Sequence, residues 1–251
     1  MRRSFFVFIT IALAALVSVH DVLAVSPADV KKASRAYTKG ERAYRSGDME
    51  KAAAAFQEAL EIAPGFPEAN LGLGHIAMSQ QRFDEALDRY HKARDGYAEV
   101  GDAMLKLRQK RYNDTRNQIQ GLRDQAQVLE ASASNEGVAR LRISQIENRI
   151  EQLSVIEPPD RGEATEPPGE IYFNIGNALF QLVRVDEAIA SWEICREKSP
   201  GFAMVYNNLA LAYMQTGKLD EAMTNLAKAE ELGFSVNPQF KADLKARAGK
   251  G

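Results

Sequence analysis

Residues 71–93 read LGLGHIAMSQQRFDEALDRYHKA, with small residues at Gly74, Ala86 and Ala93 and bulky ones at Leu73, Phe83 and Tyr90 between them. An amphipathic helix needs only an apolar stripe, so any large aliphatic side chain would serve at the three small positions. Their smallness implies that another backbone presses close there.

Shifting the chain against itself shows what presses. Gly40, Ala52, Phe56, Ala59 and Pro64 return 34 residues later as Gly74, Ala86, Tyr90 and Ala93, with Ala98 in place of the proline. The spacing reappears as Gly176, Ala188, Trp192, Cys195 and Pro200, and again as Ala210, Ala222, Leu226 and Ala229. A fixed period of this length marks a helix-turn-helix solenoid. Antiparallel helices interlock closely only where one side chain at their crossing is nearly absent. Gly40, Gly74, Gly176 and Ala210 supply that absence, with Ala52, Ala86, Ala188 and Ala222 opposite. Phe56, Tyr90 and Trp192 then fill the space between one hairpin and the next. Gly47 and Gly217 fall at turns between paired helices, where a positive φ is often required.

On these residues the segments 33–100 and 169–236 resemble tetratricopeptide repeats. The chain departs from the pattern at Leu226, where an aromatic belongs, at Cys195, where an Ala belongs, and in the missing terminal prolines of the second and fourth copies. The resemblance implies an all-α solenoid of about four repeats whose first helices line a concave groove for an extended peptide or a partner helix. The family's groove positions fall on Tyr37, Thr38, Glu41 and Tyr44, then on Leu71, His75 and Met78. The second pair supplies Phe173, Asn174, Asn177 and Gln181, then Asn207, Asn208, Leu211 and Gln215. Asn174 and Asn208 occupy matching places one repeat apart, and an amide offers donor and acceptor together, so the pair could bracket a ligand backbone or simply bond neighbouring helices. The family's carboxylate clamp is disfavoured: Asn177 and Asn208 match two of its positions, but Phe173 replaces a lysine, and Pro238 and Ala242 stand where basic residues belong.

The organisation follows as a signal peptide at 1–24, a first repeat pair at 25–100, an insertion at 101–156, a Pro-rich linker at 157–168, a second pair at 169–236 and a capping segment at 237–251. The insertion keeps the phase, so it could hold two decayed repeats. Arg108, Gln120, Arg142 and Ser154 occupy their small-residue positions, however, and would block close crossing. A helical hairpin fits better, with one arm through Leu105, Tyr112, Ile119, Leu122 and Leu129 and a return arm through Ile143, Ile146, Ile150 and Leu153, zipped as a short antiparallel coiled coil. Gly96, Gly101 and Gly121 mark expected bends in the first arm. The two repeat pairs are expected to splay around this hairpin. Ser26-Pro27 and Asn237-Pro238 each place a cap before a proline, and the second starts a final helix with Phe240 and Leu244 on its inner face.

The chain has 251 residues, 45% of them hydrophobic, and a formal charge of −2, which suits a folded protein and names no acidic or basic partner. Arg2 and Arg3 precede an uncharged apolar run from Phe5 to Val19, and Val22-Leu23-Ala24 offers a peptidase its small residues. The expected setting is therefore an exported one, periplasmic or secreted, with a membrane anchor only if that segment is retained. The single cysteine, Cys195, has no internal partner and reads as a small buried hydrophobe.

Catalytic chemistry is sparse. His75 and His91 are sixteen apart, which does not suit a metal pair on one helix face, and no CxxC, HExxH or phosphate-binding loop occurs. Lys106, Arg108, Lys110, Arg111 and Arg116 form a basic cluster without the interleaved aromatics of a nucleic-acid platform, and read as a solvated coiled-coil face. The sequence thus points to a non-catalytic scaffold or adaptor with no cofactor, no metal and no nucleic-acid partner, acting on a protein or peptide. Two alternatives remain: an envelope protein that forms homo-oligomers through the hairpin, and an accessory subunit of an enzyme.

Overall fold

The computed structural model describes residues 27–132, 135–158 and 166–249. The signal-like segment 1–24, the Ser26 cap, residues 133–134 of the hairpin turn and residues 159–165 of the Pro-rich linker lie outside them. The described residues form ten helices and no strand: α1 (Pro27–Arg45), α2 (Met49–Ile62), α3 (Pro67–Ser79), α4 (Phe83–Ser132), α5 (Glu136–Leu153), α6 (Gly169–Gln181), α7 (Val185–Lys198), α8 (Ala203–Gln215), α9 (Leu219–Glu231) and α10 (Pro238–Ala248).

Local chemistry accounts for the boundaries. Asp48 caps α2 by accepting from the Lys51 amide, Pro67 occupies the first turn of α3, and Asn237 caps α10 through the amides of Gln239 and Phe240. Acidic pairs open the second helix of repeats two, three and four, at Asp84-Glu85, Asp186-Glu187 and Asp220-Glu221, where carboxylates meet the positive dipole end. The four first helices all end in one way. The amides of Asp48, Arg82, Arg184 and Lys218 each donate to the carbonyl five residues back, on Ala43, Ala77, Leu179 and Tyr213, all at 2.9 Å. That closure requires a left-handed residue just before the donor. Glycine supplies it at Gly47 and Gly217, with φ of +83° and +79°, but Gln81 and Val183 hold φ of +60° in the middle repeats.

The chain divides into two compact units, one of residues 23–98 with 167–251, the other containing residues 99–166. In the first unit, α1 packs on α2, α6 on α7 and α8 on α9, and α10 closes the end against α9. Repeats two and three do not splay apart. Ala77, Leu87, Tyr90 and Ala93 share one core with Ile171, Ile175, Leu179 and Trp192, so the repeats stack across a gap of 68 residues in the chain. The small-residue rule takes a more specific form than two opposed small side chains. A Cβ on Gly40 would stand 2.5 Å from the ring of Phe56, one on Gly74 2.4 Å from that of Tyr90, and one on Gly176 2.4 Å from the indole of Trp192. Each aromatic therefore lies on the glycine of its own repeat. Phe56 is covered from the next repeat as well, since a Cβ on Gly72 would come within 2.6 Å of it. Each fully buried ring removes enough apolar surface from water to stabilise the fold by about 2–3 kcal/mol. At the C-terminal end Leu244 is fully buried with Ala210, Ala222 and Leu226, and Phe240 packs beside it.

α4 begins in the first unit and, in the second, runs unbroken through Thr115, where a decayed repeat in phase with the others would turn. It also continues through Gly96, Gly101 and Gly121. The first of these is explained by packing, since a Cβ there would meet the Gly65 carbonyl at 2.7 Å. Half-buried positions recur at Leu105, Tyr112, Ile119, Leu122, Ala126 and Leu129, and in α5 at Ile143, Ile146, Ile150 and Leu153, while most residues between them are exposed. Spacings of three, four and seven are those of a coiled-coil seam. Asn135 caps α5 by accepting from the amides of Gly137 and Val138.

Candidate functional site

The groove positions of repeats one and two fall into an aromatic-acidic cluster around Tyr37 and an aromatic cluster around His75. Tyr37 is buried, its ring 5.6 Å from that of Phe56 and 5.7 Å from that of Phe66, so most of it belongs to the core. Its hydroxyl lies near Glu41, which pairs with Arg45 at 3.3 Å. One turn on, Tyr44 and Tyr90 flank His75, with ring centroids 6.4 and 5.7 Å away. Burial holds the imidazole below its ordinary value. Leu71 and Met78 are half-buried against the shared core, and Thr38 turns back to the carbonyl of Ser34.

Repeats three and four carry a chain of amides. Trp192 Nε1 donates to the Phe173 carbonyl and to Asn177 Oδ1, both at 3.2 Å. Asn208 Nδ2 donates to the same Asn177 oxygen at 2.9 Å, and Asn207 Nδ2 reaches Asn208 Oδ1 at 3.4 Å. The inter-repeat partner of Asn208 is thus Asn177, held in turn by the buried tryptophan, and Asn174 stands beside this chain half-buried. Phe173 meets Phe202 edge to face at 4.8 Å. Gln181 and Gln215 are exposed, and Leu211 is half-buried.

Sequence reasoning missed Glu68 and Tyr97. Glu68 lies in the first turn of α3, three repeat periods before Glu170 in the first turn of α6. The Tyr97 side chain lies beside it, and burial pushes its carboxyl above the usual range. One carboxyl oxygen, Oε2, is buried without a partner. Tyr97 is held well above an ordinary phenol by burial, with the nearby charge of Glu68 adding to it. A second polar contact lies under the groove, where Arg89 Nη1 donates to the buried Asn70 at 3.3 Å while Arg89 Nε lacks a partner. The shared register of Glu68 and Glu170 was the available signal; the burial was not.

Among the described residues no group of three His, Cys, Asp or Glu side chains could hold a metal ion, and no helix is long and apolar enough to cross a membrane. Cys195 is buried and its thiol pushed up to about 12 by burial.

Known proteins place this architecture. Two sequence profiles described as tetratricopeptide repeat match residues 43–110 and 173–233. No curated protein sequence matches significantly. Similar solved structures include a thermophilic TPR protein of Thermus thermophilus, at 17% identity over 86% of this chain and 98% of that one, with a TM-score of 0.37. YrrB, described as a TPR protein with an unusual peptide-binding site, shares 18% identity over 84% and 90%, with a TM-score of 0.31. MamA shares 20% over 77% and 93%, also at 0.31. The chain belongs to the tetratricopeptide repeat family, and a solenoid of this kind is in general a protein–protein interaction scaffold.

Proposed function

We propose that the chain is an exported, non-catalytic adaptor that holds an extended peptide or partner segment along the first helices of its repeats. The observation that carries this reading is the run from Trp192 through Asn177 and Asn208 to Asn207, which crosses from one repeat to the next. Amides fixed to a buried indole present donors and acceptors without further loss of side-chain freedom, and an extended ligand backbone needs both. Asn174, one turn away, adds a further amide. The compartment rests on the Arg2-Arg3 start and the apolar run to Val19, and an N-terminus at Val25 on the isolated protein would support it.

Photo-crosslinking in the native host tests the groove. A photoreactive residue at Gln181 is expected to trap one dominant partner, and the same group at the exposed Glu197 is not. Asn174→Ala with Asn208→Ala should abolish the product. Equal trapping from both positions, or no effect of the double substitution, would overturn the proposal.

One observation favours a second reading, self-association through the hairpin. Val128, Val138 and Leu141, next to its turn, are 65%, 49% and 64% exposed. Sedimentation of the purified chain separates the two, since the adaptor reading needs no concentration-dependent dimer.

A further inference from the structure

The orphaned oxygen of Glu68 points to a ligand. A carboxyl oxygen buried without any hydrogen-bond partner bears a desolvation penalty that only a proton or an incoming donor can relieve. The groups around it are anionic or aromatic. Tyr37 stands near Glu41, Glu68 and Arg45, and Tyr97 near Glu68, Tyr37 and Glu170. Of these, the one cation, Arg45, is already paired with Glu41. Glu68 as a whole is half-buried in the first turn of α3, so its side chain is not sealed from solvent.

Two acids of matching register, Glu68 and Glu170, and two tyrosine rings make the chemistry that receives a cation. Carboxylates supply charge-assisted acceptors, and phenol rings offer negative faces. We propose that Glu68, with Tyr37 and Tyr97, receives one basic side chain, arginine or lysine, of the peptide that lies in the groove. The inference rests on the groove reading above and names what that groove selects. Repeats one and four carry Ser34 and Met204 at the same register, so the selection is local to the middle of the solenoid.

The test uses the full chain and two capped, otherwise uncharged heptapeptides of glycine and alanine, one with a central arginine and one with citrulline, its neutral isostere. Calorimetric titration is expected to show the arginine peptide binding about tenfold or more tightly, the size of one charge-assisted hydrogen bond. Glu68→Gln should remove that preference and leave the citrulline peptide unchanged. Tyr97→Phe, which deletes only a hydroxyl, serves if Glu68→Gln does not fold, and should weaken the arginine peptide alone. Equal binding of the two peptides, no binding of either, or a preference that survives both substitutions would overturn the proposal. The groove reading is judged separately by the Gln181 crosslink: a crosslink lost with the asparagines while arginine and citrulline bind alike would sink the cation site and leave the groove standing.

Discussion

The indole of Trp192 lies against Gly176, so closely that a methyl group on residue 176 would sit 2.4 Å from Nε1 and 2.5 Å from Cδ1. The ring cannot retreat, because Nε1 is held by the Phe173 carbonyl and by Asn177. Gly176→Ala is therefore expected to destabilise the fold by about 1–3 kcal/mol through overpacking. Gly121→Ala is the contrasting control. Residue 121 is exposed inside α4 with open space where a Cβ would go, so the same change should stabilise by roughly 0.5–1 kcal/mol. Urea denaturation of both variants checks the pair, and equal shifts would refute the packing account.

Turn strain gives a second prediction, opposite in sign to the usual cost of adding glycine. Val183 is β-branched, 81% exposed and held at φ +60°, the position filled by Gly47 and Gly217 in the outer repeats. A branched side chain in left-handed backbone costs about 1–2 kcal/mol. Val183→Gly should recover much of that as a raised melting temperature, Gln81→Gly somewhat less, and Gly217→Ala should lose stability. A fall in melting temperature for Val183→Gly would show that this turn relaxes in solution.

The asparagine chain predicts coupling. Asn177→Ala removes the acceptor shared by Trp192 and Asn208, although the indole keeps the Phe173 carbonyl, and should cost about 1–2 kcal/mol. Asn208→Ala should cost less, and the double variant should fall short of the sum by about 0.5–1 kcal/mol. Strict additivity in a denaturant cycle would mean that the two amides do not meet.

What the sequence disclosed and what it withheld divide along a physical line. The glycine-aromatic pairs were readable because close backbone approach forbids a Cβ, and that constraint is written in the residue type itself at Gly40, Gly74 and Gly176. Cys195 was readable for the same reason, as a small residue in an alanine position. Tyr37 was harder: its register puts it in the groove, but its ring turns inward onto Phe56 and Phe66. Asn208 could be placed on the correct helix, yet its bond to Asn177 depends on how α8 lies against α6. Gln81 and Val183 do not announce a left-handed turn at all. Glu68 reads as an ordinary first-turn acid favoured by the helix dipole, and only the extension of α4 past the usual repeat end brings Tyr97 over it.

The buried thiol allows a check on how the repeats open. With the Cys195 thiol pushed up to about 12, almost none is thiolate at pH 8, and the side chain has no surface exposure. Alkylation by iodoacetamide should proceed only through unfolding of the shared core. Its rate should rise in parallel for Gly176→Ala and fall for Val183→Gly. Fast labelling of the native chain, unaffected by either change, would place Cys195 at the surface.

Glu68 gives stability a definite dependence on pH. The unfolded carboxyl loses its proton near 4.5, whereas burial keeps the folded one protonated to higher pH. Between those two values the native chain binds more protons than the unfolded chain, so stability falls as pH rises and then levels off above the folded value. Glu68→Gln cannot ionise, so it removes both the slope and the plateau. Relative to the natural chain, the variant should gain nothing through this group below pH 4.5, and an advantage that grows above it and then levels off. Urea midpoints of the two proteins from pH 4 to 8 measure the difference directly. A difference that stays flat across that range would mean that Glu68 is ionised and hydrated in the folded chain, which would also remove the ground for its role as a cation receptor.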